Sequence, residues 1–203
     1  MYFASDNSGP AHPEVLAALA RANTGYAMPY GADIIMDEVR ETLRSIFEAP
    51  EAAVYLVATG TAANALALAT MCAPYETVFC SPTAHIHEDE CNAPEFYTAG
   101  AKLSIVGTLD QMTPETLRSS IEAQQTRGVH GPQRGPVSIT QVTERGAVHS
   151  LAQIKALSDV AKSYGLGVHL DGARFSNAQS AFYFSAAEMT LKACVDVVSF
   201  FVS

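Results

Sequence analysis

The chain is poor in basic residues. Its 12 lysines and arginines stand against 21 aspartates and glutamates, a formal net charge of −9. Binding to phosphate backbones needs the opposite sign, so the charge argues against a nucleic-acid partner and none is expected. No apolar run approaches the roughly 20 residues of a membrane-spanning helix. The first residues have neither a basic stretch nor an apolar core, so no secretory signal and no membrane partner are expected. The 4 cysteines, Cys72, Cys80, Cys91 and Cys194, have neither paired nor zinc-type spacing. Each sits in an apolar segment, which predicts reduced packing thiols in a cytoplasmic protein. Two glycine signatures are missing as well. No Gly-Lys-Ser/Thr follows Thr59-Gly60-Thr61, so there is no Walker A loop, and no Gly-x-Gly-x-x-Gly occurs, which ranks an NAD-type oxidoreductase last. Internal repeats and low-complexity tracts are absent too.

What is present suits an α/β domain. With 203 residues, 48% of them hydrophobic, the chain can fill one full-sized core. Helices are predicted over residues 12–22, from Pro13 in the first turn and the run Val15, Leu16 and Leu19, and from the N-cap Asp33 to about residue 47. The loop between them carries Tyr30 and Gly31. Residues 54–58 read as a buried strand that turns at Thr59-Gly60-Thr61 into an alanine-rich helix ending near residue 71. Strands are predicted at 77–80, 102–106, 137–142 and 168–171, with a last one over 196–203. Helices fall at 113–124, capped at Thr113, and at 150–164, the latter opened by a Ser150…Gln153 capping box and stopped by Gly165. Shorter ones are expected at 176–181 and 186–193, and a surface loop at 127–136. Strands alternating with helices predict a largely parallel sheet covered on both faces.

Three places carry chemistry. The strand at 168–171 delivers Asp171 to its carboxyl end, where ligands bind in open α/β sheets. A buried carboxylate there needs a partner. Arg174 is one candidate; the protonated nitrogen of a bound heterocycle is the other. At Thr59-Gly60-Thr61 a strand becomes a helix, and free N–H groups, the helix dipole and hydroxyls converge as a phosphate requires, although a plain N-cap has the same appearance. His85 follows a strand at the same sheet end and can stack on a flat ring or move protons near neutral pH. Otherwise it is a surface histidine. The neighbouring His87, Glu88, Asp89 and Glu90 look like metal ligands only superficially, and no metal is expected. A phosphate cup, a ring-stacking imidazole and a deep aspartate together describe pyridoxal 5'-phosphate, whose protonated ring is an electron sink. That chemistry also needs a lysine for a Schiff base. Lys102, Lys155, Lys162 and Lys192 do not suit the part.

These motifs resemble the threonine aldolases, grouped with the β-eliminating lyases of pyridoxal-phosphate fold type I. The resemblance runs through residues 5–13, Tyr30-Gly31, Thr59-Gly60-Thr61, His85-Ile86, residues 141–146 and, most specifically, His169-Leu170-Asp171-Gly172-Ala173-Arg174. It implies a three-layer αβα large domain over residues 1–203, with a mostly parallel sheet and without the family's small C-terminal domain. It further implies that Asp171 pairs with the pyridine nitrogen while Thr59, Gly60 and Thr61 hold the phosphate. His85 would stack on the ring and assist proton transfer. Ser5 and Arg174 would bind the amino-acid carboxylate, and Tyr30 would serve the site of a neighbouring subunit in a homodimer or homotetramer. The implied reaction is retro-aldol cleavage of threonine, or of another β-hydroxy-α-amino acid, to glycine and an aldehyde. The alternatives are β-elimination on another amino acid and a non-catalytic, truncated domain. Glu144 stands where some members carry a histidine. The family's Schiff-base lysine is expected directly after the last strand, which predicts a longer natural chain with lysine as its next residue.

Overall fold

Strands and helices alternate through the computed structural model, which describes residues 9–201. The strands are β1 (Glu76–Cys80), β2 (Lys102–Ile105), β3 (Gln133–Thr140), β4 (Val168–Gly172) and β5 (Val197–Phe200). They form one sheet of order β2-β1-β3-β4-β5, parallel at every pairing. Parallel neighbours need crossovers. These are supplied by α4 (His85–Glu88) and α5 (Ala93–Tyr97) after β1, α6 (Pro114–Ala123) after β2, and α7 (Leu151–Ser163) after β3. Helices α8 (Phe175–Phe182) and α9 (Ala186–Met189) follow β4. The chain leaves β1 toward β2 and then returns to the other side of β1 as β3. The sheet therefore has its switch point between β1 and β3, and in open α/β sheets ligands bind at such a point, outside the carboxyl ends of the strands.

Alternation along each strand sorts side chains to two layers. Phe79, Val137, Ile139, Val168 and Leu170 join the larger core, with Leu117 and Ile121 of α6 and Ile154 and Leu157 of α7. Val78 and Cys80 point the other way, into a smaller core with Leu68 of helix α3 (Gly60–Met71). Helices thus cover both faces, the expected α/β arrangement. Between Thr77 and Phe79 the register with β3 shifts by one residue at Gly135-Pro136. A Cβ on Gly135 would lie 2.5 Å from the Thr77 carbonyl oxygen, so only glycine fits that bulge.

The predicted caps are present. Asp33 accepts from the Met36 N–H (2.9 Å) at the start of α2 (Ile34–Ile46), and reciprocal boxes open α6 at Thr113 and α7 at Ser150. Gly165 takes φ +72° after α7.

Four expectations are corrected, and one helix was not foreseen. Residues 54–58 form no strand: Tyr55, Leu56 and Val57 are exposed, and no described strand offers them a ladder. Hydrophobicity alone does not make a strand without a hydrogen-bonding neighbour. The loop expected at 127–136 is a 3-10 turn through His130 followed by β3, which starts at Gln133, ahead of the predicted 137. The helix expected at 186–193 breaks at Thr190 (φ −127°, ψ −93°), whose hydroxyl donates back to the Ala186 carbonyl. Helix α5 went unpredicted because Pro94 at its start reads equally as a turn residue. Lastly, Cys91 is exposed in a left-handed turn (φ 50°), whereas Cys72 and Cys80 are buried and burial pushes both thiols up to about 12.

Candidate active site

Asp171 is the last but one residue of β4 and only 1% exposed. Its Oδ1 accepts from the Ala173 N–H at 3.2 Å, and its Oδ2 accepts from Asn64 Nδ2 at 3.1 Å. Those donors are neutral. Burial raises the carboxyl above its ordinary range, the negative charge of Glu90 adds to the rise, and the Ala173 N–H, His85 and Asn64 oppose it. A cation placed against the carboxylate would lower it again.

Asn64 is reached because α3 packs over the strand ends, and it is the only amide in that helix. Its Nδ2 also donates to Glu90 Oε1 at 2.8 Å. The same oxygen lies 3.0 Å from His85 Nδ1. One unbroken file, Asp171–Asn64–Glu90–His85, therefore joins β4, α3 and the α4 segment. Glu90 has a fully buried side chain, while His85 keeps 37% of its own exposed. The hydrogen bond from Glu90 raises the His85 pKa; burial opposes that, and the charges of Glu90, Asp171 and Glu144 reinforce it. Asn64 Oδ1 and Glu90 Oε2 are buried without a described protein partner.

Thr59 N-caps α3 and accepts from the Ala62 N–H at 3.1 Å. The first turn of α3 contains no acidic residue, unlike α1 (Pro13–Ala22), α2 and α6, so no carboxylate competes for its positive end. A Cβ on Gly60 would lie 1.9 Å from Cζ of Phe201, which places this turn against the segment following β5. Thr59 and Thr61 also line a cleft of about 240 Å³ with Ala62, Ala65, Leu66 and Tyr97. Arg174, at the start of α8, donates from Nη1 to Glu144 Oε2 at 3.0 Å. The candidate Asp171–Arg174 pairing is thus replaced by Arg174–Glu144. Tyr30 (φ 61°) is fully exposed on the α1–α2 loop, away from this file. Ser5 lies outside the described residues.

Of the site residues expected from the sequence, the structure joins His85 and Asp171 in one file; Asn64 and Glu90, which link them, were not among those expected. The available signal for Asn64 was a lone amide on an otherwise alanine- and leucine-rich helix, four residues past Gly60. His87, two residues from His85, is exposed and points elsewhere. Among the described residues no group of three His, Cys, Asp or Glu could hold a metal ion.

Comparison with known proteins settles the kinship. The beta-eliminating lyase profile matches residues 2–203. The chain belongs to the beta-eliminating lyase family. Within reach of that family, it is 43% identical over 199 residues to the low specificity L-threonine aldolase of Pseudomonas aeruginosa, covering 98% of this chain and 57% of that protein. The chain therefore spans little more than half the length of this curated relative. A Leishmania major threonine aldolase structure superposes with a TM-score of 0.85 at 26% identity, over 93% of this chain and 54% of that one. A structure described as a putative L-allo-threonine aldolase from Listeria monocytogenes shares the fold, with a TM-score of 0.70 at 18% identity, over 94% and 51%. No helix among the described residues is long and apolar enough to cross a membrane.

Proposed function

We propose that the protein is a pyridoxal-phosphate-dependent aldehyde-lyase that cleaves threonine and related β-hydroxy-α-amino acids to glycine and an aldehyde. The observation that carries this reading is the file from the buried Asp171 to the half-exposed His85, set beside a helix N-terminus free of acidic residues. The residues suit the cofactor: a buried carboxyl whose donors among the described residues are neutral is relieved by a cationic ring N–H. When bound, pyridoxal phosphate supplies the electron sink for the pair released as the Cα–Cβ bond breaks.

In this reading Asp171 accepts the ring N–H. Thr59, Gly60 and Thr61 hold the phosphate with the first-turn N–H groups of α3. His85, anchored through Nδ1, packs on the ring and takes the proton of the substrate's β-hydroxyl at Nε2. Arg174, with Ser5, binds the amino-acid carboxylate, and Glu144 holds the guanidinium in place until substrate arrives. Residues 1–203 form the cofactor-binding large domain. The protein works in the cytoplasm as a homodimer or homotetramer in which Tyr30 serves a neighbouring subunit. Exposed Val15, Leu16, Leu19 and Ile35 on α1 and α2 supply apolar surface of the kind subunit contacts bury.

The whole protein, incubated with threonine and pyridoxal phosphate, is expected to release glycine and acetaldehyde in equal amounts. Release of ammonia and a 2-oxo acid would replace the reading with β-elimination. Absence of any product would replace it with a non-catalytic domain.

A further inference from the structure

Glu90 has no place in the reaction just described, yet its side chain is fully buried beside another buried carboxyl. Two carboxylates in a dry site repel each other unless donors separate them. Here a single amide does so, with Nδ2 of Asn64 donating 2.8 Å to Glu90 and 3.1 Å to Asp171. Glu90 Oε1 also meets His85 Nδ1 at 3.0 Å. A carboxylate only accepts, so it selects the imidazole form protonated at Nδ1. In the neutral ring, Nε2 then carries the lone pair.

We propose that Glu90 and Asn64 are the positioning pair of this site: Glu90 fixes the tautomer and orientation of His85, and Asn64 ties that carboxylate to Asp171, so that the proton-transfer group and the ring-nitrogen anchor respond to each other. In this role both residues act through His85 and Asp171, to which their described hydrogen bonds run. The groups that face His85 electrostatically are Glu90, Asp171 and Glu144, and Glu144 is offset by its bond to Arg174. Of these, only Glu90 has a described hydrogen bond to the ring.

Only the activity part of the test rests on the proposed function. ¹⁵N NMR of the histidine rings in the whole protein, with and without pyridoxal phosphate, reads the tautomer and titration of His85 directly. In the wild type the neutral ring is expected to carry its proton on Nδ1. Glu90→Gln keeps a similar shape but loses the charge. It is expected to lower the His85 midpoint by about one unit, a tenfold loss in proton affinity. Glu90→Asp should keep the midpoint above that of Glu90→Gln. Asn64→Ala, though Asn64 has no described bond to the imidazole, should also move the His85 midpoint. In threonine cleavage, the rise of kcat/KM with pH should shift downward by the same amount in Glu90→Gln.

An Nε2-protonated ring in the wild type, or a midpoint unmoved by Glu90→Gln, would overturn the inference. The wild-type tautomer decides the matter even if the variants fail to fold. A protein that cleaves no threonine while showing the expected titrations would sink the proposed function and leave the positioning pair standing.

Discussion

Strand β4 carries two polar side chains on the same face, two residues apart, and they are treated in opposite ways. His169 is fully buried between β3 and β5. Its Nδ1 meets Ser138 Oγ and its Nε2 meets Ser199 Oγ, both at 2.9 Å. Every polar atom of the ring is matched, and burial pushes its pKa down to about 4, so it stays neutral. Asp171, nearer the carboxyl edge, belongs to a file that is left unfinished. Asn64 Oδ1 and Glu90 Oε2 have no described partner, and His85 at its end reaches solvent. The interior array closes on itself and contributes a fixed register across three strands. The edge array keeps polar capacity in reserve, which costs stability and is tolerated where function needs it.

That contrast breaks most sharply at Asp171. Asp171→Asn should reduce threonine cleavage by about two to three orders of magnitude while leaving the fold intact, as read by steady-state kinetics and circular dichroism. Acid is the next largest probe, and it acts on the interior. Burial holds both His169 and His149, a buried residue just ahead of α7, down to about 4 in the folded protein, against an ordinary value of 6.5. Between those values the unfolded chain binds more protons, so stability is complete above about pH 6.5 and falls as pH drops toward 4. Each histidine accounts for about 3 kcal/mol of that loss, at ~1.4 kcal/mol per unit. Urea unfolding at pH 7 and pH 4.5 would show it. His85 has the opposite sign, because its raised pKa adds stability below 6.5 that fades as pH climbs through the folded value. Its partial exposure keeps that contribution small.

His169→Leu should cost about 2 kcal/mol by leaving the Ser138 and Ser199 hydroxyls unpaired, and should remove part of the acid sensitivity. Cleavage per folded molecule should be retained. The smallest effect is expected at Arg174. Arg174→Lys loses the planar fork and should raise KM for threonine about tenfold with kcat little changed.

The same contrast explains what the sequence revealed. Asp171 was legible because an apolar run ending in an acid marks a strand's carboxyl edge, and His85 because it follows another strand at that edge. The caps at Asp33, Thr113 and Ser150 were legible because capping is local chemistry. Asn64 matters through contacts across 26 and 107 positions of chain, which no local pattern encodes. Glu90 lies only 5 positions past His85, but nothing in that acidic run singles it out as the buried carboxylate. The run at 54–58 failed for a related reason, since a strand is defined by its neighbour and composition supplies only half of it. Val15, Leu16 and Leu19 gave the right helix, but α1 buries none of its residues, so amphipathicity predicted the element and not its packing.

The most direct test of the edge array is equilibrium binding of pyridoxal phosphate to the whole protein, comparing wild type, His169→Leu and Asp171→Asn side by side. The wild type and His169→Leu should hold the cofactor with similar affinity, and Asp171→Asn should bind it at least about tenfold more weakly. Equal binding by all three would show that the carboxyl at the edge of β4 does not anchor the ring, and the account of this site would be wrong.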